Sequence, residues 1–210
     1  MHGIYEITLE FSVRNSLGCH KLPQPKTHME TRYNVDDWLE GALEALAQKG
    51  PEAISIQRLC DYLGVSRGSF YWHFKSRDSF LEKLGAFWLD KTTNAIASAA
   101  MEFEGSPADK LLFLAHHIID KDATRYDIPI RAWAEIHPIV ATAVRRADRA
   151  RYKVVRKLFA AIGFSGEELE MRTRTYMAYY GLERAITVEE SKKDRLARIE
   201  LRHRMLTRSS

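Results

Sequence analysis

The side chains best suited to chemistry lie together in residues 66–75, and they suit hydrogen bonding and stacking rather than catalysis. At 100° per residue, Phe70 and Phe74 share one side of a helix and Trp72 points the opposite way. The outward side also carries Gly68, Ser69, Tyr71, His73 and Lys75. A solvated helix normally presents Glu, Lys and Gln there, so exposed aromatic rings indicate a partner that buries them.

This outward face has the groups that recognise double-stranded DNA. Ser69 and His73 can hydrogen-bond base edges or phosphates, and Tyr71 and Lys75 can reach phosphates. Trp72 can contact a thymine methyl group or a sugar. An ordinary helical hairpin whose outward aromatics meet another domain is the alternative. Because turn, caps and face agree, we favour DNA.

Two short helices position these groups, over residues 56–63 and 67–74. Gly64 supplies a turn geometry that other residues resist, and Ser55 and Ser66 each begin a helix by accepting a backbone N–H. The inner face of the first helix consists of Ile56, Leu59 and Leu63, with Cys60 beside them. The segment therefore predicts two helices around a tight turn.

Residues 55–80 resemble the DNA-binding helix-turn-helix of TetR-type transcriptional regulators, most closely over 64–78. The resemblance implies DNA contacts from Ser66, Arg67, Ser69, Tyr71, Trp72, His73 and Lys75. We add Ser55, Arg58 and Gly68 from their positions. Family members often have an acidic residue where Arg58 stands, so a capping box is not expected and Arg58 can reach a phosphate.

Composition places these helices in an ordinary globular chain of 210 residues, 45% of them hydrophobic, with a net charge of +4. No apolar run approaches the roughly 18 residues that span a bilayer, so no membrane partner is expected. Two cysteines, Cys19 and Cys60, favour a reducing, cytoplasmic setting. Gly and Pro are few and fall between periodic segments, which predicts an all-α fold.

The pattern of apolar and polar residues divides the chain into three parts. Residues 1–34 are expected to form a flexible N-terminal extension, and translation beginning at Met29 is one hypothesis for 1–28. Residues 35–82 are the helix-turn-helix domain. Residues 83–210 are a larger helical bundle for ligand binding and dimerisation, linked by a long helix at 77–104. The other helices are predicted at 36–49, 108–121, 128–136, 139–162, 167–187 and 189–206.

A dimer is expected because one recognition helix covers only a few base pairs, and paired half-sites lie roughly 34 Å apart. Ala178, Gly181 and Ala185 form a stripe of small residues, and with Met177 they are the predicted dimer face. The resemblance supports this expectation, since family members pair two C-terminal helices per subunit. Packing of this stripe inside one subunit is the alternative.

The resemblance also implies a cavity for a small-molecule effector in the larger domain. Its candidate lining residues are Trp88, His116, Tyr126, Trp133, His137 and Tyr176. His116 and His117 are adjacent and point about 100° apart, so they are not a metal pair, and no cofactor is expected. The basic run at 145–157 is interpreted as a solvated face.

The sequence thus predicts a homodimeric repressor that reads a palindromic operator with helix 67–74 and is released by its effector. The opposite response, in which the effector promotes DNA binding, stays open. Alternatives are a nucleoid-associated or division-linked DNA-binding protein without ligand control, and a helical protein-interaction module. An enzyme is not expected, because phosphate-binding loops and nucleophile motifs are absent from the sequence.

Overall fold

A computed structural model describes residues 33–182 and 191–208, in which every regular element is a helix. The helices are α1 (Val35–Lys49), α2 (Ile56–Leu63), α3 (Arg67–His73), α4 (Arg77–Leu89), α5 (Ala95–Glu102), α6 (Pro107–Asp120), α7 (Asp127–Ala134), α8 (Pro138–Ile162), α9 (Gly166–Leu182), α10 (Lys192–Ala197) and α11 (Ile199–Thr207). The predicted all-α fold is confirmed. Outside the described residues lie Ala185, Cys19, Met29 and positions 1–32 of the predicted N-terminal extension. The last two residues of that extension, Tyr33 and Asn34, are described and adjoin α1.

Local sequence explains where the first helices begin. Asn34 and Asp37 form a reciprocal capping box at the start of α1, with N···O distances of 2.9 Å. Ser66 begins α3 by accepting the N–H of Ser69, and Ser76 begins α4 in the same way. Gly64 ends α2 with φ 69° and ψ 33°, the left-handed conformation that favours glycine.

One hydrophobic cluster holds the first four helices together and continues into α7 and α8. Trp38 is fully buried at its centre, with its ring centroid 5.6 Å from that of Phe70. Phe70, Phe74 and Phe80 lie 5.0–5.4 Å apart between ring centroids. Because Ile130 and Val144 join the cluster, its packing crosses the predicted domain boundary between residues 82 and 83.

A second cluster forms the core of α5, α6, α8, α9 and α11. Ile199 is fully buried in it, and Leu196 and Leu206 pack against it. The last predicted helix therefore packs against this core, and it divides into α10 and α11 at Arg198. Among the described helices, none combines the length and the apolarity that crossing a membrane requires.

The predicted long helix at 77–104 is interrupted by a π-helical turn over Asp90–Asn94, between α4 and α5. At this turn the hydroxyl of Thr92 donates to the backbone oxygen of Trp88 at 2.7 Å. Apolar periodicity could not predict the interruption, since the pattern before and after it is helical. The turn lies where the first hydrophobic cluster gives way to the second.

Candidate nucleic-acid interface and internal cavity

Helix α3 turns opposite sides to the core and to solvent. Phe70 is fully buried and Phe74 is 1% exposed, whereas Trp72 is 65% exposed and Tyr71 is 55% exposed. Burial of the two phenylalanines fixes the rotation of α3, because its seven residues make only two turns. The outward aromatic face expected from the helical wheel is present.

The other predicted DNA contacts surround this face with different degrees of exposure. Arg67, Gly68 and Lys75 are exposed, as is the capping Ser66. Ser69 is half-buried, and its backbone N–H donates to Ser66 Oγ at 3.2 Å. His73 is half-buried beside Trp38, with 6.3 Å between ring centroids. His73 therefore lies at the edge of the outward face.

Ser55 and Arg58 lie at the start of α2, the helix that precedes the turn. Ser55 Oγ accepts the Arg58 N–H at 3.3 Å, and no reciprocal side-chain bond accompanies it among the described residues. The Arg58 guanidinium contacts the Glu52 carboxylate at 3.2 Å and its backbone oxygen at 3.1 Å. An exposed pair of this kind is weak, so contact between Arg58 and a phosphate stays a prediction.

A partly open cavity of about 80 Å³ lies among the π-helical turn, α5, α6, α8, α9, α7 and the turn that precedes α7. Its walls are mainly aliphatic, with two arginines and three threonines among them. Its lining consists of Thr92, Thr93, Ile96, Ala97, Leu114, Ile118, Ala123, Thr124, Arg131, Arg151, Val154, Val155, Tyr176, Met177, Tyr180 and Gly181.

A network of hydrogen bonds around Arg151 forms one wall of this cavity. The Arg151 guanidinium donates to Asp127 Oδ2 at 2.5 Å, and Asp127 is fully buried. Its Nε donates to Thr93 Oγ1 at 2.9 Å and its Nη2 to Thr92 Oγ1 at 3.1 Å. Buried charges are stable only when paired and hydrogen-bonded, and both conditions hold here. The network joins α7, α8 and the π-helical turn.

Comparison with known proteins decides the type of the domain. The family model described as bacterial regulatory proteins, tetR family, matches residues 39–84, which span α1 to α4. The chain contains a TetR-type helix-turn-helix domain. The resemblance inferred from residues 55–80 is confirmed.

Known regulators resemble this chain in sequence, and solved structures resemble it in fold. The transcriptional regulator AcrR of Shigella flexneri is 24% identical over 99 residues, which cover 47% of this chain and 46% of AcrR. The structure of reduced NemR from E. coli has a TM-score of 0.68 at 15% identity, covering 84% of this chain and 98% of NemR. AibR, solved with isovaleryl coenzyme A and operator DNA, has a TM-score of 0.65 at 11% identity, covering 82% and 97%.

The sequence matches are shorter than the matched proteins. The TetR-type chain aligns with between a fifth and just under half of the length of its curated relatives. The solved structures are below 25% identity and therefore show a shared fold.

Of the six residues predicted to contact an effector, Tyr176 alone lines this cavity. Trp88, Tyr126 and Trp133 belong to the first hydrophobic cluster, and the Tyr126 hydroxyl donates to Glu44 at 2.7 Å. His116 is exposed near Glu200, and His137 contacts Arg77 at 3.2 Å. These five positions lie outside this cavity, because aromatic spacing marks buried faces without distinguishing a filled core from a cavity wall. A role in effector binding stays a prediction for all six residues.

The predicted dimer residues divide in the same way. Met177 and Gly181 line the cavity, and the adjacent Tyr180 is buried against Tyr176 at 4.6 Å between ring centroids. Ala178 is exposed on the outer side of α9. A role in dimerisation stays a prediction for these residues.

Sequence reasoning missed Asp127 and Arg151, the two charged residues at the cavity wall. Arg151 was grouped with a solvated basic run, yet it is largely buried and its partner is fully buried. Its neighbours Arg145, Arg146, Arg149 and Lys153 are exposed as expected. The available signal was the position of Arg151 four residues before Val155, on the apolar side of α8.

Proposed function

We propose that this protein is a DNA-binding transcriptional regulator that inserts α3 into the major groove. The observation that carries the proposal is the burial of Phe70 and Phe74 with Trp72 and Tyr71 exposed on the opposite side. Exposed aromatics on a short, rigidly held helix lose their contact with water when a partner covers them. Lys75, two residues after the end of α3, supplies a cation for a phosphate.

A close approach to DNA accounts for the glycine at position 68, because nothing within the described fold requires it. A Cβ added at Gly68 would meet only Ser66 Oγ, at 3.6 Å, which is an ordinary contact. Gly68 lies within α3 and therefore has a helical backbone conformation. It does not adopt the left-handed conformation that favours glycine at positions such as Gly64. The missing side chain therefore leaves space on the outward face of the helix.

We propose that two copies pair through the outer side of α9, so that the two α3 helices read the half-sites of a palindromic operator. Met171 and Ala178 are exposed on this side, and Met205 of α11 is 71% exposed. Arg172 links the helices by donating to the backbone oxygen of Leu206 at 2.7 Å. Exposed methionines on adjoining helices are apolar area that a second copy would bury.

We propose further that an effector in the cavity releases the protein from DNA, as a repressor requires. Thr92 and Thr93 belong both to the cavity wall and to the π-helical turn that continues α4. Four residues earlier, Trp88 packs in the cluster that holds α1 to α4. A ligand that displaces these threonines would shift α4 and the helix-turn-helix domain over 35–82. The operator-bound AibR structure, which also contains isovaleryl coenzyme A, shows that a related fold holds both kinds of partner.

Selection of bound sequences from random DNA tests the proposal. We expect the selection to enrich one palindromic sequence. Light scattering should show that a dimer binds it. Trp72→Ala should relax the sequence preference by about 1–3 kcal/mol at one base pair of each half-site. Lys75→Ala should weaken all sequences alike and reduce the slope of log affinity against log salt by about 0.9 per half-site.

Two matched variants serve as controls. Lys153→Ala removes an exposed lysine from α8, and Ile136→Ala removes an exposed apolar side chain from the loop between α7 and α8. Both should retain the affinity and the salt slope of the parent protein. The proposal is contradicted if Trp72→Ala and Lys75→Ala also retain them, or if selection enriches no sequence.

A further inference from the structure

Two buried polar atoms at the cavity have no hydrogen-bond partner among the described residues. They are Thr124 Oγ1 and Arg131 Nε, and both residues line the cavity. Thr124 is 6% exposed, so water outside the protein does not satisfy its hydroxyl. An unsatisfied buried polar group costs free energy, and a ligand that bonds it recovers that cost on binding.

The unused hydrogen-bonding group at Arg131 is a donor. Both terminal nitrogens of the guanidinium donate to the Asp148 carboxylate, at 2.9 and 2.5 Å, and the Nε–H remains. An arginine N–H can only donate, and the Thr124 hydroxyl can donate as well. The complementary group on a ligand is therefore an acceptor oxygen, and a carbonyl oxygen has the two lone pairs that two donors need.

The charges at the cavity favour a neutral ligand. Arg151 is paired with Asp127, and Arg131 with Asp148, so each cation at the wall already has its carboxylate. A ligand carboxylate would add an uncompensated negative charge close to the fully buried Asp127. The remaining walls include Ile96, Leu114 and Val154, which suit an apolar body.

The volume of the cavity limits the size of the buried part. An engineered cavity of roughly 150 Å³ holds benzene. At about 80 Å³, this cavity has about half that volume, and it is partly open to solvent, so part of a short-chain ligand extends beyond it. We propose that it binds a small neutral molecule with a short apolar body, whose carbonyl oxygen accepts hydrogen bonds from Thr124 and Arg131. This proposal rests on the proposed function only in treating the cavity as the effector site.

Methyl chemical shifts of the full-length protein, titrated without DNA, test the ligand class. The probes are 2-pentanone, butyrate and pentane, which share a short chain and differ in the oxygen and the charge. We expect 2-pentanone to shift the methyl signals of Ile96, Leu114 and Val154 and to bind more tightly than the other two. The proposal is overturned if pentane binds equally well, since the polar atoms then contribute nothing, or if butyrate binds more tightly, since the site then selects an anion.

Variants of the two donors separate hydrogen bonding from shape. Thr124→Val preserves the volume and removes the hydroxyl, and Arg131→Lys retains a cation for Asp148 and removes the Nε–H. Each should weaken 2-pentanone binding about five- to tenfold, the usual worth of one hydrogen bond. Thr175→Val, on the exposed side of α9, is the matched control and should bind like the parent protein. Unchanged binding by Thr124→Val would overturn the proposal.

The stability and operator affinity of the same samples distinguish the possible failures. Thr124→Val should unfold at the same or a higher urea concentration, because it removes an unsatisfied polar group. If 2-pentanone binds as expected but leaves operator affinity unchanged, the ligand class stands and the regulatory part of the proposed function fails. If 2-pentanone fails to bind while selected DNA binds, the ligand class is wrong and DNA recognition stands.

Discussion

Gly85 of α4 and Ala143 of α8 lie in direct contact, so close that a Cβ added at Gly85 would be 2.7 Å from the Ala143 Cβ. Methyl groups do not approach to that distance without a shift of the backbone. The contact joins the helix that follows the helix-turn-helix to the longest of the described helices. The separation of α4 from α8 at this point is therefore set by the absence of one side chain.

We expect Gly85→Ala to lower the free energy of unfolding by about 1–3 kcal/mol, because overpacking displaces two helices. Alanine has the higher helix propensity, worth about 1 kcal/mol, but this gain is smaller than the clash. Gly181→Ala is the matched control, since no described atom lies within 4 Å of an added Cβ there. Urea unfolding should show Gly181→Ala to be at least as stable as the parent protein, and equal loss in both variants would contradict the prediction.

Gly68→Ala should separate stability from DNA binding. The new methyl group meets ordinary contacts within the chain, and the alanine raises stability by about 0.5–1 kcal/mol through helix propensity. Operator affinity should nevertheless fall, because the methyl group occupies the space between α3 and DNA. Urea unfolding and fluorescence anisotropy with selected DNA measure the two effects, and unchanged affinity would remove Gly68 from the interface.

Removal of Asp127 should destabilise the protein strongly, because it leaves Arg151 buried without its carboxylate. We expect Asp127→Ala to cost about 3–5 kcal/mol in urea unfolding. The double variant Asp127→Ala, Arg151→Met should lose less than the sum of the single variants, since it removes both charges. Asp120→Asn breaks the exposed pair with Lys192 and should cost less than about 1 kcal/mol. Similar losses in Asp127→Ala and Asp120→Asn would contradict the prediction.

Stability should fall as the solution becomes mildly acidic, because two histidines have lowered pKa values. Burial lowers the pKa of His117, with a further contribution from Lys121, and burial lowers the pKa of His203. The unfolded state therefore binds protons at a higher pH than the folded state. Stability is retained above the ordinary histidine value of 6.5 and declines as the pH falls through it.

Thermal unfolding at about pH 7.5 and about pH 5.5 measures this effect. The midpoint should be lower at the acidic pH in the parent protein, and the difference should be smaller in His117→Asn, His203→Asn. A difference of the same size in both proteins would assign the acid sensitivity to other groups.

The helix-turn-helix was predictable because its determinants are local. Gly64, the serine caps and the alternation of Phe70, Trp72 and Phe74 each constrain a turn or a face within a few residues. The cavity was not predictable in this way, since its wall combines residues far apart in the chain, such as Thr92 and Arg151. Spacing along one helix identifies a buried face, but the neighbouring helices decide whether that face meets atoms or space.

The exposure of Trp72 has a spectroscopic consequence. The protein has four tryptophans, and Trp38, Trp88 and Trp133 are buried. A collisional quencher dissolved in water should therefore reduce the emission of one indole in four. Protection of that component when DNA is added would report occupancy at α3 in unlabelled protein, so the proposed recognition helix contains an intrinsic fluorescent probe.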